Sequence, residues 1–240
     1  MNQVHLLIRR WSVCVGIFWA TTSLLTCLSG CTSVAGTGSA TLVRVIDAST
    51  NAPALDAYVS SVPIADNIVG PSISNYAFLG PGAAVVTLDA HGTHSVLAQL
   101  NGTFLAGKQH SVYLAEQGST FAAQILTDQS APAPAGFVSF RFVQQASEAG
   151  AVDVYLLPSG TAIADAKPVQ SSLAPGTITP YVDFPAGTYQ FAVASAGTTK
   201  GAYIGAATVF VGGQVRTILI VDQKLLSSPP VNVIIANDVN

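Results

Sequence analysis

Val43-Arg44-Val45-Ile46-Asp47-Ala48, running on to Ala54-Leu55-Asp56-Ala57-Tyr58-Val59, has a second copy in the chain: Phe140-Arg141-Phe142-Val143, then Ala151-Val152-Asp153-Val154-Tyr155-Leu156. Arginine and aspartate are twelve residues apart in both copies, and tyrosine follows each aspartate by two. A later stretch repeats as well. Ile73-Ser74-Asn75-Tyr76, with Leu79 and Gly82, is echoed by Ile178-Thr179-Pro180-Tyr181, with Phe184 and Gly187. The chain is therefore read as two tandem copies of one unit.

Working outward, each copy breaks into short β-branched and aromatic runs bounded by Gly, Pro, Asn and Ser, the pattern of strands and turns. The spacing predicts strands near 41–47, 55–60, 73–79, 83–89, 94–100, 110–116 and 121–127. In the second copy it predicts them near 137–143, 152–157, 177–184, 187–194, 203–211, 214–222 and 230–236. No window after the leader carries the i, i+3, i+4, i+7 apolar pattern of an amphipathic helix. Alternation in Thr188-Tyr189-Gln190-Phe191-Ala192-Val193 marks a strand with one buried face, whereas Thr217-Ile218-Leu219-Ile220-Val221 is apolar enough for both faces to be covered. Seven short strands in about a hundred residues suit an Ig-like sandwich. The expected fold is thus all-β: two tandem antiparallel Ig-like sandwiches over 41–128 and 137–240, joined by a semi-rigid Pro/Ala linker at 129–136.

At these residues the chain resembles the domain-of-unknown-function 4397 family. The carriers are the apolar-Arg-apolar strand, the turn Ala48-Ser49 with Asn51-Ala52-Pro53-Ala54, the apolar-Asp-apolar-Tyr strand and the segments around Tyr76 and Tyr181. The second copy departs at its head, with Gln144-Gln145-Ala146 and Gly150 in place of that turn. The resemblance implies a β-sandwich and a cell-envelope setting, and no catalytic residues.

Ahead of the repeats, residues 1–30 read as a lipoprotein signal peptide. His5 and Arg9-Arg10 form a basic head, and an apolar run from Trp11 to Leu28 ends in Leu28-Ser29-Gly30-Cys31, which has the form of a bacterial lipobox. Cys31 is the expected lipidation site and the new N-terminus, with residues 31–40 as a flexible tether of small polar residues. Thr32 after the cysteine points to the outer membrane, with the protein facing the periplasm or exterior. Cys14 and Cys27 leave with the leader, so the mature chain has no disulfide. Seven basic residues then stand against twelve acidic ones, a net charge of −5. That balance gives no electrostatic footprint for nucleic acid.

Few side chains invite chemistry. Arg44 with Asp56, and Arg141 with Asp153, are expected to pair structurally, with Tyr58 and Tyr155 packed beneath and the aspartates accepting turn amides. Asp89, His91 and His94 surround one turn and are weak candidate zinc ligands, by residue type alone. The matching turn of the second copy, Ser195-Ala196-Gly197, lacks them all. No Gly-x-Ser-x-Gly elbow is present, glutamate is confined to Glu116 and Glu148, and no tryptophan lies beyond Trp19 to serve as a sugar platform. Tyr76, Tyr181 and Tyr203 are the remaining aromatic candidates for that role. The expected function is a non-enzymatic binding, adhesion or scaffold module of the envelope, with no cofactor, anchored by its lipid and meeting an envelope protein or glycan. The alternative is a metal-dependent hydrolase built on Asp89, His91 and His94.

Overall fold

The computed structural model describes residues 39–199, 203–223 and 231–239. The leader, Cys31 and the tether up to residue 38 lie outside the described residues. The first half holds nine strands: β1 (Thr41–Asp47), β2 (Leu55–Val59), β3 (Val62–Ile68), β4 (Ser72–Ile73), β5 (Ala77–Leu79), β6 (Gly82–Ala90), β7 (Ser95–Phe104), β8 (Gln109–Gln117) and β9 (Thr120–Asp128). The second half holds β10 (Phe137–Gln144), β11 (Val152–Pro158), β12 (Gln170–Leu173), β13 (Val182–Pro185), β14 (Gly187–Ser195), β15 (Tyr203–Ile204), β16 (Thr208–Phe210), β17 (Val215–Asp222) and β18 (Val231–Val239). One short 3₁₀ turn, Ile163–Asp165, is the only helical element among the described residues.

Both halves have the same strand order. One sheet runs β4-β1-β8-β9, with β5 also on β1, and its counterpart runs β13-β10-β17-β18. The other pair runs β3-β2-β6-β7 and β12-β11-β14-β15, with β16 also on β14. The sheets containing β1 and β10 are mixed, with β1 parallel to β8 and β10 parallel to β17, whereas the other two are antiparallel throughout. In each half the two sheets enclose a core. Val43, Val45, Leu55, Ala57, Val86, Leu88, Val112 and Leu114 fill the first. Phe140, Phe142, Phe191 and Phe210 form an aromatic cluster in the second, edge-to-face except for the tilted Phe140–Phe142 pair, with ring centroids 5.0–6.3 Å apart.

The two sheets that contain β1 and β10 also bury their outward faces. Strand side chains alternate, so while Val43 and Val45 enter the core, Arg44 and Ile46 point away from it. Ile46, Ala48 and Tyr113 of the first half pack there against Val143, Leu219 and Val221 of the second. The result is four stacked sheets, and the two central ones are covered on both sides. This is why β17 reads apolar throughout: Ile218 and Ile220 enter their own core while Leu219 and Val221 enter the contact between halves. The linker is bound along its length to this body, with Gln109 N–H donating to Ser130 Oγ (2.9 Å) and Ala133 N–H to Gly213 C=O (3.0 Å).

Candidate functional site: the ionic seam between the halves and the His91 turn

Arg44 and Arg141 sit on the interface faces of β1 and β10, 1% and 3% exposed. Neither meets the aspartate twelve residues on. Asp56 lies on β2, in the opposite sheet, between the core residues Leu55 and Ala57, so it points outward on the far side of the sandwich. Asp153 on β11 is placed alike. The expected Arg44–Asp56 and Arg141–Asp153 pairs are thereby corrected. The arginines instead cross to the other half: Arg44 Nη2 donates to Asp238 Oδ1 of β18, and Arg141 Nη2 to Asp128 Oδ1 of β9 at 2.7 Å.

Each half supplies the same supporting set. Asp128 accepts the hydroxyls of Tyr76 (2.7 Å) and Ser111 (2.7 Å), and Asp238 those of Tyr181 (2.8 Å) and Thr217 (2.7 Å). The guanidinium of Arg44 lies 4.6 Å from the Tyr76 ring centre and that of Arg141 4.8 Å from the Tyr181 ring centre, in cation–π contact. Ser111 and Thr217 are the parallel register partners of Arg44 and Arg141, which explains why a hydroxyl sits beside each. Arg44 Nε donates to Ser111 Oγ at 2.8 Å, while Arg141 Nη2 takes the matching bond to Thr217 Oγ1 at 2.9 Å and leaves its Nε without a partner.

Two cations and two anions make the seam neutral, as deep burial requires. Burial alone would lower the Arg44 pKa, but Asp238, Tyr76 and Asp128 around it raise it overall. Burial, foremost, and the neighbouring carboxylates push the Tyr76 and Tyr181 hydroxyls far up, so both stay protonated and donate.

The repeated aspartates serve the outer sheets. Asp56 accepts the amide of Asn67 (2.8 Å) and faces His91 Nδ1 (2.8 Å), while Asp153 accepts the amides of Ser172 (2.7 Å) and Gly197 (2.8 Å). Asn67 and Ser172 have left-handed φ of 50° and 51°, and the strand register shifts beside each aspartate. The aspartate therefore clamps an edge-strand bulge and the hairpin turn beyond it, and that task explains its recurrence. Tyr58 lies half-buried beside Asp56, whereas Tyr155 is buried with Leu157, Ala192 and Ala194 under Ile163.

The turn after β6 does not gather Asp89, His91 and His94. His91 turns over to Asp56 and lies 3.9 Å from Asp66, while His94 stays exposed with a left-handed φ of 55°. Among the described residues the one group whose potential ligand atoms lie within 4.8 Å of one another is Asp56, Asp66 and His91. Asp66 is exposed and the other two already bond each other. Tyr76 and Tyr181 are half-buried, each with one ring face under an arginine of the seam.

A third repeated device escaped the spacing test. Glu116 accepts the amides of Thr50 (2.7 Å) and Asn51, and Asp222 accepts those of Glu148 (3.1 Å) and Ala149 (3.3 Å). These carboxylates, at matching places on β8 and β17, hold the loop after β1 and the loop after β10. Gln144 replaces Asp47 there, receiving the Ala146 amide (2.5 Å) as Asp47 receives that of Ser49 (2.9 Å).

With this geometry in hand, comparison with known proteins gives one family. Residues 41–155 match the family described as Domain of unknown function (DUF4397). The matched stretch covers the whole first half, crosses the linker and ends at Tyr155 on β11. The DUF4397 match thus includes Arg44, Asp56, Tyr76, Asp128 and Arg141, and stops short of Asp238. No curated protein matches the chain. Among solved structures, a family 26 carbohydrate-binding module from Eubacterium rectale in complex with maltoheptaose aligns at 6% identity and a TM-score of 0.26, covering 81% of this chain and 96% of that one. A likeness at that score carries no argument about ligand or fold.

Proposed function

We propose that the chain is a cell-envelope lipoprotein bearing two tandem DUF4397 units, anchored through Cys31, whose mature part is a rigid, non-catalytic binding or scaffold body. The supporting observation is the seam. Arg44, Arg141, Asp128 and Asp238 are buried and spent on joining the halves. Such a body suits holding surfaces at fixed separation rather than opening and closing around a substrate. The outer membrane is the expected destination, from Thr32 after the cysteine. An envelope protein or a glycan is the class of partner such a body would meet.

The test is twofold. Protein from the envelope fraction should start at an acylated Cys31, and Cys31→Ala should accumulate as an unprocessed, unlipidated precursor. In scanning calorimetry the mature chain should unfold in one transition. A Cys31→Ala protein that matures normally would remove the lipoprotein reading, and two separate transitions would remove the rigid body.

A further inference from the structure

The end of the body where β1 begins carries a set of apolar side chains in water. Phe78 is 79% exposed, Val211 53%, Leu105 51% and Phe137 40%. Two of them occupy equivalent turns. Leu105 C=O accepts the Lys108 amide (3.2 Å) and Val211 C=O that of Gln214 (3.3 Å), while Gly107 donates to Ala40 (3.0 Å) and Gly213 to Phe137 (2.9 Å). The linker runs from Gln109 to Gly213 across this same end, so both turns face the same way. Beside the Leu105 turn lies a groove of about 550 Å³ whose lining includes Ala40, Leu42, Phe78, Lys108, Asp238 and Val239. Apolar patches kept in water mark contact surfaces.

Resting on the lipidation of Cys31, we infer that this end lies against the lipid bilayer, with Phe78 and Leu105 entering the headgroup boundary and Lys108 meeting anionic headgroups. The length of chain decides the occupant. Ala40 lines the groove, and the nine residues 32–40 separate Cys31 from β1. Fully extended they reach at most about 30 Å, close to the length of the body's own longest strands of nine or ten residues. The end bearing Ala40 is therefore the one an acylated Cys31 holds nearest the membrane. The turns at His91–His94 and Gly118-Ser119 close strands at the opposite end. Exposed apolar tips of this kind suit the headgroup boundary, and Lys108 beside them adds a positive charge.

Tryptophan provides the test, because both native ones precede Cys31. Phe78→Trp and Leu105→Trp, each in the acylated mature protein, are placed in vesicles of phosphatidylethanolamine and phosphatidylglycerol with brominated acyl chains. Ser119→Trp is the reference at the far end. The expected result is emission at shorter wavelength, quenched severalfold more strongly than in Ser119→Trp, for both variants. Emission at 78 and 105 as water-like and as weakly quenched as at 119 overturns the proposal. So does a shift that rises with protein density but is not quenched by bromine, which would assign the surface to a second copy. Vesicle flotation and the acyl mass are read separately. Acylated, floating protein with unquenched tryptophans removes the docking and leaves the lipidation, whereas protein lacking the acyl mass removes both.

Discussion

Arg44 and Arg141 sit among valines and phenylalanines on strands with both faces buried, and the cost of desolvating them is offset only by partners from the other half. Removing Asp238 or Asp128 strands an arginine in the interior, which costs about 3–5 kcal/mol for a buried pair. Tyr76→Phe should be milder. It deletes one hydroxyl donated to Asp128 while keeping the ring under Arg44, and a loss of about 1–3 kcal/mol in urea denaturation is expected. His91 gives a pH signature. Its bond to Asp56 raises its pKa above the ordinary 6.5, and Asp56 is in turn lowered, since the Asn67 amide and His91 outweigh its burial. The folded state holds the His91 proton more tightly, so this contribution is full below about pH 6.5 and is lost as pH rises through the raised value. The His91 titration followed by NMR should fall back toward 6.5 in Asp56→Asn; an unchanged midpoint would mean that Asp56 is not the cause. The sequence marked the arginines by their recurrence but gave them the wrong partners. Asp238 follows Arg44 by 194 residues whereas Asp128 precedes Arg141 by 13, because each arginine crosses to the other half, so no fixed spacing reveals the pair.

At the scale of elements, strands with clear alternation or continuous apolar character were legible, as β6, β8, β10, β14 and β17 illustrate. β3 was not. It carries Pro63, and the turn before it is Ser60-Ser61, whose φ values of 46° and 68° are those of a two-residue hairpin turn ordinarily built from Asn-Gly. Pro63 is tolerated because β3 is an edge strand. Two serines in the left-handed region carry strain, so Ser60→Asn with Ser61→Gly should stabilise the protein by about 1 kcal/mol or more, read as a rise in the urea midpoint with unchanged slope. In the second half, Asp153→Ala frees the amides of Ser172 and Gly197 and should cost about 1–3 kcal/mol. Hydrogen exchange should quicken at those two amides first.

For the whole molecule, the repeat and the all-β character follow from the chain, whereas the fusion of the halves does not. An apolar strand shows that both its faces are covered but not by what, and a Pro/Ala linker reads the same between free domains and docked ones. Stacking β1 and β8 on β17 and β18 turns two sandwiches into a single four-layered body, with a neutral ionic seam at its centre. The double-mutant cycle across that seam tests this account most directly. Arg44→Ala, Asp238→Ala and the double variant should show coupling of about 1–3 kcal/mol, whereas the matching cycle for Arg44 and Asp56 should be additive within about 0.5 kcal/mol. Additivity between Arg44 and Asp238, with coupling between Arg44 and Asp56 instead, would contradict it.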